Sequence, residues 1–219
     1  MIGVIIPAHN EIQHLRACVE SILGAAKHAG LFGELVVVMV VLDSCTDASA
    51  ESIADLPVER LNVEALNVGV ARAAGAEDLL QRGARWLAFT DADSRVPVNW
   101  LSLQMATKCD VFCGPVSVDD WQSHASGVRQ RYDSHYQSID GHPHVHGANM
   151  GVSAKAYLSA GGFPPLACHE DIGLVSRLIA QGARIARLAE PCVITSGRAK
   201  GRVLGGGFAH FLSSLSEPS

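Results

Sequence analysis

Apolar positions in the first ninety residues alternate between short continuous runs and stretches spaced by three and four. Gly3–Ile6 is a run that suits a strand, and between Glu11 and Ala29 the residues Ile12, Leu15, Val19, Ile22 and Leu23 recur on one helix face. Leu35–Leu42 is apolar at every position, as a central parallel strand covered on both faces should be. Ala48–Ala54 then reads as helix, Val58–Leu61 as strand, Val68–Gln81 as helix and Trp86–Phe89 as strand. This β-α-β-α-β-α-β order predicts a mostly parallel sheet with right-handed crossovers. In such a sheet ligands sit beyond the carboxyl ends of the strands.

After Pro97 the alternation loosens. A helix is expected at Val98–Thr107, strands at Val111–Cys113 and Pro115–Val118, and an amphipathic helix at Trp121–Tyr136. Helices at Ala154–Ala160 and Asp171–Gln181 and a strand at Arg184–Leu188 follow. With no internal repeat and no low-complexity linker, the second half is expected to extend the same sheet, giving one domain over residues 1–219.

Polar clusters fall where the ligand rule puts a site. Pro7-Ala8-His9-Asn10-Glu11 follows the first strand, Asp43-Ser44-Cys45-Thr46-Asp47 the second, and Asp91-Ala92-Asp93 the fourth. Singly, each has a local reading: Asn10 as a cap of the first helix, Thr46 or Asp47 of the second, the two later acids as a turn. Together they point to a ligand site. Two carboxylates flanking one small residue present hard oxygens on one side of a turn, which suits Mg²⁺ or Mn²⁺ with substrate phosphates completing the coordination. No Gly-x-x-x-x-Gly-Lys or Gly-x-Gly-x-x-Gly follows the first strand, which argues against ATPase and dinucleotide-binding readings.

Composition narrows the partners. A 48% hydrophobic content is ample for a core, and a formal net charge of −5 argues against nucleic acid as a partner. The longest apolar run, Leu35–Leu42, is too short to span a membrane. Absence of a signal-peptide pattern and six scattered cysteines, read as reduced thiols, place the expected location in the cytoplasm.

The quoted segments resemble the family 2 glycosyltransferases of the GT-A fold. Val4-Ile5-Ile6-Pro7-Ala8-His9-Asn10-Glu11 is similar to the family's opening strand, Val41-Leu42-Asp43-Ser44-Cys45-Thr46-Asp47 to its V-D-D-G-S-T-D segment, and Asp91-Ala92-Asp93 to its D-x-D. Gly147-Ala148-Asn149-Met150 with His169-Glu170-Asp171 is similar to the acceptor-side region ending in an E-D pair. The resemblance implies a Rossmann-like α/β fold with a smaller mixed acceptor-side extension. Residues 1–113 would form the nucleotide-sugar-binding half and 114–219 the acceptor-binding half.

It also implies metal-dependent transfer, with inversion, of a sugar from a UDP- or GDP-linked donor to a glycan, lipid-linked or small-molecule acceptor. Asp43 would accept from the nucleobase, Asp91 would serve the ribose or metal shell, and Asp93 would ligate the Mn²⁺ or Mg²⁺. Pro7, Ala8, Glu11 and Arg72 would line the nucleotide pocket. Asp171 would be the general base, with Glu170 shaping its pocket, and His146 and Asn149 would lie near the acceptor. Leu42 stands where the family has the first aspartate of its pair, and Ser44 where it has glycine. Competing readings are a non-catalytic nucleotide-sugar-binding module and a nucleotidyltransferase.

Three further features each admit more than one reading. His142, His144 and His146 occupy alternating positions, so an extended chain would put all three imidazoles on one side, as a transition-metal site or as an exposed loop. Arg198, Lys200 and Arg202 lie among glycines, either as a solvated segment or as a loop that folds over the donor diphosphate. Beyond them Phe208, Phe211, Leu212 and Leu215 form an apolar stripe that suits packing on the body, a homodimer contact or a peripheral membrane contact.

Overall fold

The computed structural model describes residues 1–198 and 207–215. In chain order its strands are β1 (Ile2–Ala8), β2 (Val36–Asp43), β3 (Glu59–Val63), β4 (Trp86–Phe89), β5 (Ser94–Arg95), β6 (Val111–Cys113), β7 (Val116–Val118), β8 (Met150–Ser153), β9 (Ile185–Arg187) and β10 (Val193–Thr195). The α-helices are α1 (Leu15–Ala25), α2 (Val68–Gln81), α3 (Trp100–Ala106), α4 (Val128–His135), α5 (Ala154–Ser159), α6 (Glu170–Ala180) and α7 (Gly207–Ser214). Seven strands form one sheet in the order β3-β2-β1-β4-β8-β6-β9, and a second sheet runs β5-β10-β7. The four strands of the first half are parallel; β8 is antiparallel to both β4 and β6. The second half thus extends the first sheet, as expected.

The continuous apolar runs are explained by two cores, one on each face of the large sheet. Val4 and Ile6 of β1 pack with Leu15, Val19 and Ile22 of α1, while Ile5 packs on the opposite side with Ala71 and Leu79 of α2. Helix α2 lies close to the strands because its sheet-facing residues are small. A Cβ at Gly75 would come within 2.8 Å of both Ile5 and Val41.

Several expected boundaries shift for local reasons. The helix expected at Ala48–Ala54 reduces to one 3₁₀ turn, Glu51–Ile53, because side chains in the preceding loop bond its backbone instead. Asp47 Oδ1 accepts from Ser49 N at 3.0 Å, the competition that keeps such residues out of helix interiors, and Ser49 Oγ is turned to the loop after β1, accepting from Glu11 N at 2.8 Å. Asn10 does not cap α1. Its Oδ1 accepts from the backbone N–H groups of Thr46, at 2.8 Å, and Asp47, at 3.2 Å, tying the loop after β1 to the loop after β2. The helix expected at Trp121–Tyr136 begins only at Val128, after Gly127 at φ +90°, a conformation no helix passes through. Strands β5, β8 and β10 were not expected. In β8 a glycine, Gly151, lies against the Trp86 ring, so the apolar pattern of the strand is short and interrupted.

Asn149, expected near the acceptor, is instead fully buried beneath the sheet edge. Its Oδ1 accepts from Trp100 Nε1 at 2.9 Å, and its Nδ2 donates to Pro115 O at 2.8 Å and Pro191 O at 2.7 Å. Those bonds join α3, the turn before β7 and the approach to β10, so the side chain serves the architecture around the site.

Candidate functional site

The carboxyl ends of β1, β2 and β4 meet the start of α6 around one cavity of about 860 Å³. Pro7, Ala8, Glu11, Asp43, Arg72, Asp91, Asp93, His146, Glu170, Asp171 and Arg198 all line it. Asn149 does not line it, and Arg202 and Lys200 lie outside the described residues. A smaller neighbouring cavity of about 520 Å³ shares Asp93, Thr195, Ser196 and Arg198 with it.

Backbone strain concentrates on the loops at this edge. Asn10, Ser44, Leu66 and His169 all have positive φ, between 48° and 60°, which costs a non-glycine residue about 1 kcal/mol or more. Ser44 shows why glycine suits that position in the resembling motif. Leu66 is held in place by Asp43, whose Oδ1 accepts from Ala65 N at 2.8 Å and Leu66 N at 2.9 Å, while Oδ2 accepts from Asn67 N at 2.8 Å. Burial alone would raise the Asp43 carboxyl, but those three N–H groups outweigh it and hold the group below its ordinary value. Asp43 therefore organises the β3–α2 loop, with Asn67 capping α2 through Val70 N at 3.1 Å. This employment of Asp43 oxygens by the chain itself goes beyond the nucleobase contact expected from the sequence.

Arginines pair with the acids. Arg72 is almost fully buried and bridges Asp91, in the loop after β4, to the buried Glu170, at the start of α6. It acts as a strut across the cavity floor, where the sequence suggested a nucleotide contact. Gly147 makes room for it, since a Cβ there would collide with the guanidinium. Arg198 reaches across the opposite wall, bonding Glu11 at 2.8 Å through Nη1 and Asp93 at 2.9 Å through Nε. Burial pushes the Asp93 carboxyl above its ordinary value; Arg198 opposes that shift, and the like charge of Asp91 adds to it. Asp171 is held differently: Oδ2 accepts from Gly147 N and Oδ1 from Ile172 N, each at 2.7 Å.

Asp91 and Asp93 supply the carboxylate oxygens that a hard divalent cation takes, and each is paired with an arginine, Arg72 and Arg198 respectively. Among the described residues no group of three His, Cys, Asp or Glu side chains converges as a complete protein cage, and Mg²⁺-type sites commonly take one or two carboxylates and leave the rest to phosphates and water. A raised, buried carboxyl beside a second acid is a place that favours positive charge, and Arg198 supplies it here.

The histidine trio does not converge on a metal position. His142, His144 and His146 stack as parallel rings, with centroids 5.4 Å and 5.7 Å apart and planes within 24°. Tyr136 continues the stack, 4.0 Å from His144, and its hydroxyl bonds His146 Nε2 at 2.8 Å. The apolar stripe packs on the body at this point: Leu212 is buried, and Phe208 stands edge-on to His146 at 5.8 Å. Tyr136, His144, Phe208 and Phe211 are cavity-lining residues that sequence reasoning did not assign there.

Burial, with His144 and His142 adding, pushes the His146 imidazole down to about 3. An unfolded histidine titrates near 6.5, so below that pH the unfolded chain binds a proton that the folded chain refuses. Stability is therefore expected to fall as pH drops from 6.5 toward 3, by up to about 1.4 kcal/mol per unit for this residue. In urea unfolding at pH 7, 6, 5 and 4, His146→Gln should flatten the slope by about one proton; an unchanged slope would contradict the assignment.

The family described as glycosyl transferase family 2 matches residues 3–149. No curated protein matches the sequence. Among solved structures, S. aureus TarS 1–349 in complex with UDP-GlcNAc aligns over 98% of this chain and 64% of its own, at 15% identity and a TM-score of 0.67. The mannosyltransferase PcManGT from Pyrobaculum calidifontis, in complex with GDP-Man and Mn²⁺, aligns over 92% of this chain and 58% of its own, at 15% identity and a TM-score of 0.61. The chain thus spans about three fifths of the length of these structures, and the likeness at such identity establishes the shared fold. No helix among the described residues is long and apolar enough to cross a membrane.

Proposed function

Because the chain belongs to glycosyl transferase family 2, we propose that it is a metal-dependent, inverting glycosyltransferase that takes a UDP- or GDP-linked sugar and transfers the sugar to an acceptor hydroxyl. The observation that carries this reading is the convergence of Asp91, Asp93 and Asp171 on one cavity at the carboxyl edge of the sheet. The fold it shares with a UDP-GlcNAc-bound and a GDP-Man-bound structure suggests the donor class.

Asp93 and Asp91 would hold the cation, which supplies positive charge to the departing diphosphate. Arg198, already on Asp93, is within the same wall and adds charge-assisted hydrogen bonds to phosphate oxygens. Asp171 takes the proton of the acceptor hydroxyl as that oxygen attacks the anomeric carbon from the face opposite the leaving group, so the configuration inverts. Backbone N–H donors fix the orientation of the Asp171 carboxylate. Arg72 pairs with both Glu170 and Asp91, its one charge offsetting one of their two, so the base does not face two unpaired acids.

Calorimetric titration with UDP and with GDP, each with and without Mn²⁺, tests this. One nucleotide should bind at least about tenfold more tightly with the metal, a gain of about 1.4 kcal/mol, and Asp93→Ala should remove the gain. Binding that ignores Mn²⁺ would sink the metal assignment. Metal-dependent binding without donor hydrolysis or transfer, across a panel of nucleotide sugars, would favour a non-catalytic binding module.

A further inference from the structure

We propose, resting on the glycosyltransferase reading above, that the acceptor carries an apolar aglycone beside its reacting hydroxyl, an alkyl or aryl group seated against Tyr136, His144, Phe208 and Phe211. The cavity runs without interruption from the strand-end acids past Asp171 to these rings. Its two ends differ in chemistry. At the strand ends the lining is carboxylate and guanidinium, as a phosphorylated donor requires; Tyr136 and Phe211 make ring contacts with the lining residues His144, His146 and Phe208.

The polar atoms of the aromatic end are largely employed within the protein. Tyr136 Oη accepts from Val116 N at 2.9 Å and bonds His146 Nε2 at 2.8 Å, and its ring stacks on Tyr132 at 4.8 Å and His144 at 4.0 Å, so what it offers a ligand is a ring edge. Burial lowers both His144 and His146, which leaves the imidazoles uncharged at neutral pH. Phe208 and Phe211, with ring centroids 5.9 Å apart, close this end from α7. A subsite for an oligosaccharide would need hydrogen-bond partners for several hydroxyls, because a buried hydroxyl left unpaired costs affinity. An apolar group has no such need and gains from leaving water.

NMR titration of the full chain with glucose, 4-nitrophenyl β-D-glucopyranoside and octyl β-D-glucopyranoside, the last below its micellar concentration, tests the inference. At least one of the two glycosides should bind about tenfold more tightly than glucose or better, and the preference between them distinguishes an aryl from an alkyl aglycone. Phe208→Ser should abolish the advantage, and the milder Phe211→Leu, which keeps α7 apolar, should reduce it. Equal binding of all three compounds, binding of none, or an advantage that survives in both variants would overturn the proposal. Parallel calorimetry with UDP and GDP separates the two readings. Nucleotide binding without aglycone preference overturns the apolar acceptor alone, whereas aglycone preference without nucleotide binding overturns the glycosyltransferase reading and leaves the apolar site standing.

Discussion

Arg72→Met is expected to lower the stability of the fold by about 3–5 kcal/mol, read as a shift of the urea midpoint at pH 7. The guanidinium is 4% exposed and Glu170 only 5%, whereas Asp91 is 38% exposed. Removing the cation strands Glu170 as an unpaired charge in a place water does not reach, while Asp91 can recover part of its solvation. The cost should therefore fall mainly on Glu170. That assignment has a direct check: adding Glu170→Gln to Arg72→Met should restore part of the loss, because a neutral amide no longer needs the partner, and the two changes should be strongly non-additive. An Arg72→Met protein within about 1 kcal/mol of the parent would show that the bridge does not hold the floor of the cavity. Gly147→Ala should act on the same bridge from the other side, since the added methyl meets the guanidinium.

How the two halves were legible follows from the range of the interactions involved. Helix α2 was read to its limits, Val68–Gln81, because Asn67 caps it locally and small apolar residues mark its buried face. Strand β4 was read to its limits, Trp86–Phe89, because all four of its residues are buried and the acids beyond it end the run sharply. Strand β8 escaped because it is antiparallel to β4 and β6, distant in sequence, and carries Gly151 where a side chain would meet Trp86. No local pattern announces such a strand.

The site divides in the same way. Asp91, Asp93 and Asp171 could be placed because strand ends and a recognisable order of motifs bring them to one edge. Arg72 and Asn149 are assigned from the sequence to the nucleotide pocket and the acceptor side, but their hydrogen bonds are not legible there. What each one does is set by partners far off in the sequence: Asp91 and Glu170 for the arginine, Trp100, Pro115 and Pro191 for the asparagine. The aromatic end was least legible, since Tyr136, His144 and Phe211 come together only when α7 folds back over the histidine stack.

Asp171→Asn is expected to lower sugar transfer by about 10²–10⁴-fold, the span that a positioned general base contributes, while leaving nucleotide affinity within about twofold, a difference under about 0.5 kcal/mol. The substitution is chosen for its geometry. An asparagine keeps the size of the side chain and one oxygen to accept from Gly147 N or Ile172 N, the two donors that now hold the carboxylate at 2.7 Å, so one of the two bonds is lost together with proton acceptance. Glu170→Gln makes the contrast, because Glu170 is buried against Arg72 and acts on the reaction through the floor it supports. It should change stability more than it changes the rate of the folded enzyme. Steady-state transfer measured beside urea unfolding separates the two residues. A variant at Asp171 that transfers sugar at the parental rate would move the base elsewhere in the cavity, and one that loses transfer and nucleotide binding together would mean that the substitution had disturbed the donor side as well.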